Sequence, residues 1–270
     1  MDTNSNQARR VVIGITAHVD AGKTTLAEAM LYRTGQLRKL GRVDHGSAAM
    51  DSHLLERERG ITIFSSQAEL PIGDLEVTLL DTPGHVDFSA EMERTLSVLD
   101  YAILVISGAD GVQAHTRTLW RLLELYRIPT FLFVTKMDFG RCGRGQMMEH
   151  LHHELGEGCV DFTPADRERR MEQLATCRED ALEAYLDGGE VPDALVRQLV
   201  GRRLVFPCWF GSGLKLEGID EFLEGLARYV EPPAYPAAFS ARVFKISHDP
   251  QGKRLTHLKL SLIHISEPTR

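Results

Sequence analysis

The chain is short of the residues that staple a fold or carry it into a membrane. Its four cysteines in 270 residues, Cys142, Cys159, Cys177 and Cys208, are scattered and form no Cys-x-x-Cys pair. That spacing argues against a disulfide framework and against a zinc knuckle, and leaves reduced thiols as the expectation. No apolar run approaches the roughly 20 residues that cross a bilayer. The N-terminal MDTNSNQARR lacks the apolar core of a secretion signal. Both absences point to the cytoplasm. Positive charge is in deficit as well: 31 Lys and Arg stand against 38 Asp and Glu, a formal net charge of -7. A protein that held RNA mainly through its own charge would be basic, so any meeting with RNA is expected to be local. Hydrophobic residues still make up 43% of the chain, enough at this length for a full core without staples.

What is present alternates. Residues 1–9 read as a loose, disordered tail. VVIGITA (11–17) is a continuous apolar, β-branched run, as a buried parallel strand should be. A helix follows from Lys23, then a long polar stretch over 37–60. Strands are expected near 62–70 and 75–80, with Gly73-Asp74 turning between them. Then come helix 87–98, strand 102–107, helix 114–126, strand 130–135, a charged helical insertion over about 139–203, strand 204–209 and helix 218–229. This order implies an α/β fold: a mostly parallel sheet with helices on both faces and ligands at the strands' carboxyl ends. Leu119, Leu122, Leu123 and Tyr126 keep helical spacing and read as a core-facing stripe. His150, His152 and His153 read as a solvated helix face rather than a metal site. Pro232-Pro233 and Pro236 mark a linker, and FSARVFKI (239–246) alternates like the first strand of a new β domain.

The chemistry gathers on the loops. AHVDAGKTT, comprising Ala17, His18, Val19, Asp20, Ala21, Gly22, Lys23, Thr24 and Thr25, has the P-loop spacing between a buried strand and a helix. Small residues let backbone N–H groups wrap phosphates, and the helix N-terminus adds partial positive charge. Lys23 would reach the β- and γ-phosphates, and Thr24 would place a hydroxyl on Mg²⁺. DTPGH (81–85) follows a strand. Asp81 is the expected carboxylate behind the same Mg²⁺. Gly84 can offer an N–H to a γ-phosphate, and His85 can position an attacking water. Thr62, at the end of the long polar stretch, would complete the Mg²⁺ shell, while Arg57 and Arg59 read as solvated charges.

VTKMD (134–138) ends another strand. A carboxylate at Asp138 can accept from guanine N1–H and N2–H₂, a pair that adenine does not offer. Lys136 would lay its stem along the base. GSGLK (211–215) would supply Ser212 and the N–H of Gly213 to guanine O6. The reading requires Asp138 to converge in space with Lys23.

Taken together, AHVDAGKTT, RGITI, DTPGHVDF, TKMD and GSGLK, in that order, resemble the translational GTPases over about residues 10–259. LLERERGITI and the short insertion before VFPCWFGSGLKLEGID look most like the tetracycline-resistance ribosomal protection proteins, with elongation factor G close behind. The resemblance implies a P-loop GTPase domain over 10–232, followed by the start of a β-barrel domain at 237–259. It implies GTP and GDP as bound nucleotides and Mg²⁺ as cofactor. The expected partner is the ribosome, with large-subunit RNA activating His85 in a monomeric factor. Val19 and Ile61 match an apolar gate beside that histidine, and Asp20 a support for a monovalent cation.

Two positions depart from the family pattern. Thr135 stands where the family has Asn, the residue that ties the base loop to the P-loop. Its hydroxyl has a shorter reach, which lowers the expected nucleotide affinity. Ser212-Gly213 replaces Ser-Ala, a mild change if the backbone N–H makes the contact. The tail LSLIHISEPTR (260–270) looks like the translation of a sequencing-library adapter, which would make the chain an N-terminal fragment. No arginine finger is evident in cis, so unassisted turnover is expected to be slow. Two other readings predict different things. A nucleotide-binding module without hydrolysis would not need His85 or Thr62. An ATP-using P-loop kinase would not need Asp138.

Overall fold

The structure, a computed structural model, describes residues 9–37, 66–82, 89–139, 142–163, 167–234, 239–248 and 251–260. Thr62, Ile61, Gly84 and His85 lie outside these residues, as does the tail 261–270.

A seven-stranded sheet runs in the order β2-β3-β1-β4-β5-β7-β6. Its strands are β1 (Arg9–Ala17), β2 (Ser66–Ile72), β3 (Leu75–Asp81), β4 (Tyr101–Ser107), β5 (Thr130–Thr135), β6 (Cys159–Asp161) and β7 (Phe206–Phe210). All neighbours are parallel except β2, which pairs antiparallel with β3 at one edge. The expected mostly parallel sheet is therefore present. β1 begins at Arg9, inside the segment read as tail, because Arg9 opens the register with Leu75 and its N–H donates to Asp74 O. One strand escapes the pattern reading: β6 lies within the insertion expected to be helical. Three residues are too few to show a period, and only pairing with β7 makes them a strand.

The helices among the described residues are α1 (Lys23–Arg33), α2 (Ser89–Leu96), α3 (Ala114–Leu125), α4 (Arg144–Leu155), α5 (Arg167–Cys177), α6 (Glu179–Gly188), α7 (Asp193–Gly201) and α8 (Ile219–Tyr229). Each sheet face buries its own apolar cluster. On one, Ile13, Ile15, Ile103, Val105, Phe131 and Phe133 meet Leu26 and Met30 of α1 and Phe222 and Leu226 of α8. On the other, Ala102, Leu104, Ile106, Leu132 and Val134 meet Leu119 and Leu123 of α3 and Met147, Met148 and Leu151 of α4. All seven residues of β4 are buried, which is why the run YAILVIS shows no alternation. Each such side chain contributes roughly 1.5–3 kcal/mol on burial.

Two side-chain expectations need correction. The α3 stripe does not extend to Tyr126, which is 37% exposed, whereas Thr116 and Trp120 are buried. Tyr126 is the C-cap, with αR backbone and its N–H donating to Leu122 O, so it keeps the helical spacing but stands past the buried end of the stripe. The histidines of α4 are not one solvated face: His150 accepts from the Val112 N–H at 3.1 Å, and His152 lies 2.7 Å from the Cys159 carbonyl. No group of three metal-ligating side chains occurs among the described residues.

β8 (Ala241–His248) and β9 (Arg254–Leu260) form an antiparallel hairpin. Phe244 is buried against Leu80 and Val98, while Val243, Ile246, Leu255 and Leu258 are exposed. The Lys259 ammonium sits 2.5 Å from Asp100 Oδ1 and 2.8 Å from the Val98 carbonyl, which fixes the hairpin to the turn before β4. No described helix is long and apolar enough to cross a membrane.

Candidate nucleotide site

Strand order reverses at β1, with β3 on one side and β4 on the other, so a crevice opens beyond its carboxyl end. The loop Ala17–Lys23 fills that position. Asp20 and Gly22 both take positive φ (60° and 89°), which turns successive amides inward, and the Ala21 N–H donates to His18 O at 3.1 Å. Gly22 caps α1 without a side-chain hydrogen bond, and the first turn carries no acidic residue. The helix therefore directs bare amides and an unneutralised dipole at this loop.

Lys23, the first residue of α1, is 8% exposed, and its ammonium is ion-paired with Asp81 Oδ1 at the end of β3, where the carboxylate is wholly buried. Sequence reasoning assigned both residues to one metal and phosphate centre, and they meet. Thr82, which that reasoning passed over, fixes the strand end: its hydroxyl and amide both donate to Ile15 O, at 2.8 and 3.1 Å. Thr24 and Thr25 follow Lys23 on the half-buried start of α1.

The second loop pair sits beside the first. Thr135, buried at the end of β5, donates from Oγ1 to the Ala21 carbonyl at 2.5 Å. The hydroxyl, despite its shorter reach, thus ties the loop after β5 to the loop after β1. Thr135 also accepts, through its own carbonyl, from Gly108 N–H at 2.8 Å, which ties in the loop after β4. After β7, a Cβ added at Gly213 would stand 3.3 Å from the backbone of Thr25 and Leu26, so a glycine lets this loop lie against the first turn of α1. The Met137 N–H donates to Gly211 O at 3.3 Å, joining the loops after β5 and β7.

Lys136 takes a positive φ of 57°, and Asp138 lies in the single 3₁₀ turn that follows. The Asp138 side chain is 13% exposed and lies 3.3 Å from the Lys215 ammonium. Burial alone would raise its carboxyl, but the hydrogen bond and charge of Lys215, with a hydrogen bond from Ser212, hold it below the ordinary carboxylate range. Lys215 carried no signal in the sequence beyond its place in GSGLK.

A run of contacts therefore links the Lys23–Asp81 pair through Ala21 and Thr135 to Asp138, Lys215 and Ser212. The arrangement fits a purine nucleotide laid from its phosphates to its base. Its donor set also fits Mg²⁺, with a threonine hydroxyl and a buried carboxylate beside a phosphate loop.

Residues 8–232 match the family model described as the elongation factor Tu GTP binding domain. The chain is 39% identical, over 92% of its length, to an oxytetracycline resistance protein of Streptomyces rimosus, of which it covers 42%. It is 35% identical, over 96% of its length, to the tetracycline resistance protein TetM from transposon Tn916 of Enterococcus faecalis, of which it covers 43%. A crystal structure of a Thermus thermophilus protein superposes with a TM-score of 0.83 at 27% identity, over 94% of this chain and 46% of that one. The chain thus spans less than half the length of the curated relatives it matches. With residues 8–232 matched by the family model and a mostly parallel sheet beneath them, the chain belongs to the elongation factor Tu GTP-binding domain family, the GTPase domain of translation factors.

Proposed function

We propose that the chain binds GTP with Mg²⁺, hydrolyses it to GDP and phosphate, and does so as part of a cytoplasmic, monomeric factor acting on the ribosome, most like a ribosomal protection protein. The observation that supports this best is the Thr135–Ala21 hydrogen bond, because it holds the loop read as base-binding against the loop read as phosphate-binding.

In this reading the amides of residues 18–25 cradle the phosphates, and Lys23 turns from Asp81 to the β- and γ-oxygens. Thr24, Asp81 and Thr62 hold Mg²⁺, which neutralises charge on the phosphates when bound. Gly84 offers its N–H to the γ-phosphate. His85 orients the attacking water, with Val19 and Ile61 as its apolar gate, and ribosomal RNA of the large subunit brings it into register. Asp20 supports a monovalent cation. Asp138 takes the guanine N1–H and N2–H₂, Lys136 covers the base, and Ser212 and Gly213 hold O6. The names of the relatives support tetracycline resistance as the task of the longer protein, and translocation of the elongation factor G type is the runner-up.

The test combines two measurements. Fluorescent GDP and ADP analogues are titrated into the chain, and phosphate release from GTP is followed with and without ribosomes for a version extended to the length of its relatives. Guanine preference and a ribosome-dependent burst are expected. Equal affinity for ADP would remove the GTPase reading. Guanine binding with no stimulated release would leave a binding module.

A further inference from the structure

We propose that Lys215 is the positioning residue of the base site: its ammonium holds the Asp138 carboxylate as the fixed, acceptor-only anion that a guanine edge requires. The proposal rests on the base-site reading above and deepens it.

Lys215 lies on the loop after β7, and its ammonium approaches Oδ2 of Asp138 to 3.3 Å. That loop is not free to move the lysine away. Ser212 and Glu217 exchange two backbone hydrogen bonds, at 3.1 and 3.0 Å, and Leu216 between them takes a positive φ of 60°. The Lys215 amide itself points at Ser212 Oγ at 3.4 Å, and Ser212 adds a weaker lowering influence on the Asp138 carboxyl. The ammonium therefore reaches across from one loop to the aspartate of the other, while its own backbone is tied to Ser212. Among the described residues, Lys215 is the one cation within ion-pair distance of Asp138; Lys136, two residues upstream, makes no ion pair with it.

The chemistry of base choice explains why a cation belongs here. An ionised carboxylate only accepts, through about four lone-pair sites, so a lysine on one oxygen leaves room for two further donors. A protonated carboxyl donates one hydrogen and suits the acceptor N1 of adenine. Anything that keeps Asp138 ionised therefore favours guanine, and does so most as the solution becomes acidic. The Asp138 carboxyl is indeed held low, with Lys215 the leading lowering influence once burial has been overcome. Lys215 is 52% exposed, so solvent screens the pair and its effect is modest.

The test titrates ribose-labelled fluorescent GDP and ADP into the chain and into Lys215→Met and Lys215→Arg variants, between about pH 3 and pH 8. Lys215→Met should weaken GDP binding by about threefold at neutral pH and move the acid limb of binding upward by about half a pH unit, the size of a screened ion pair. Lys215→Arg should restore both. A merely structural lysine would leave the acid limb in place, which would overturn the proposal. Tighter GDP binding by Lys215→Met would also overturn it, by showing that the lysine competes with the base. Absence of guanine preference in the unaltered chain would remove the base-site reading itself, a result distinguishable from equal binding by chain and variants.

Discussion

Thr135 Oγ1 and the Ala21 carbonyl oxygen stand 2.5 Å apart, although 114 residues separate them in the chain. The contact couples two loops that must move together if one ligand is to touch both. Ala21 is 3% exposed and Thr135 is buried, so the acceptor has no ready substitute in water. An unmet buried acceptor costs about 1–3 kcal/mol.

Replacing Thr135 by Val keeps the shape and removes the donor. GDP affinity should fall by about tenfold, equivalent to about 1.4 kcal/mol, with a parallel loss of thermal stability. Nucleotide titration and thermal melting check this. Thr135→Asn, with a longer donor, should keep most of the affinity.

Lys23→Met should abolish measurable GTP binding and also destabilise the chain. Asp81 is fully buried beside it, and stripping one partner from a buried pair typically costs about 3–5 kcal/mol. The double variant Lys23→Met/Asp81→Asn should recover much of the stability and none of the binding. Urea unfolding of the single and double variants separates the two effects.

Glu154 provides a pH test away from the site. The hydrogen bond from Arg117 Nε, at 2.5 Å, is the main cause that brings its carboxyl from 4.5 down to about 2, against the opposing effect of burial. A depressed acid stabilises the folded state above its unfolded value, and that contribution is lost as pH falls. The stability gap between the chain and Glu154→Gln should therefore be constant above about pH 5 and close between about pH 4.5 and 2. Denaturant midpoints measured through that window give the answer.

Arg203 offers a test of packing by a charged group. Its guanidinium lies 5.1 Å from the ring centres of both Trp120 and Phe206 and donates to Thr130 Oγ1 at 2.9 Å and to the Ile128 carbonyl. Burial, the leading influence, pushes its pKa down. Arg203→Lys keeps a charge but loses the planar fork, and should cost about 1–2 kcal/mol, with a change in Trp120 emission. An unchanged unfolding curve would assign the stacking no weight.

Lys259→Met should loosen the hairpin. Asp100 also accepts the Val12 N–H at 2.8 Å, so it keeps one partner while losing its buried cation. A loss of about 3 kcal/mol is expected, with faster proteolysis around residues 231–240. Limited digestion followed by mass measurement locates the cut.

The sequence by itself determined the layered α/β architecture, because continuous β-branched runs such as VVIGITA and amphipathic helices can bury their surfaces in few other ways. It also determined the connection between β1 and α1, whose Gly-Lys-Thr spacing is local and rides on one strand and one helix. Tertiary structure alone decided three things. It made Cys159–Asp161 a strand, since pairing with β7 supplies what three residues cannot encode. It left Tyr126 exposed, since that residue, although still on the helical path, caps the end of α3 beyond the buried stripe. And it set Thr82, Thr135 and Lys215 against Ile15, Ala21 and Asp138, contacts between residues far apart in the chain. Local spacing encodes which groups a loop carries; only the register of parallel strands fixes which loops stand side by side.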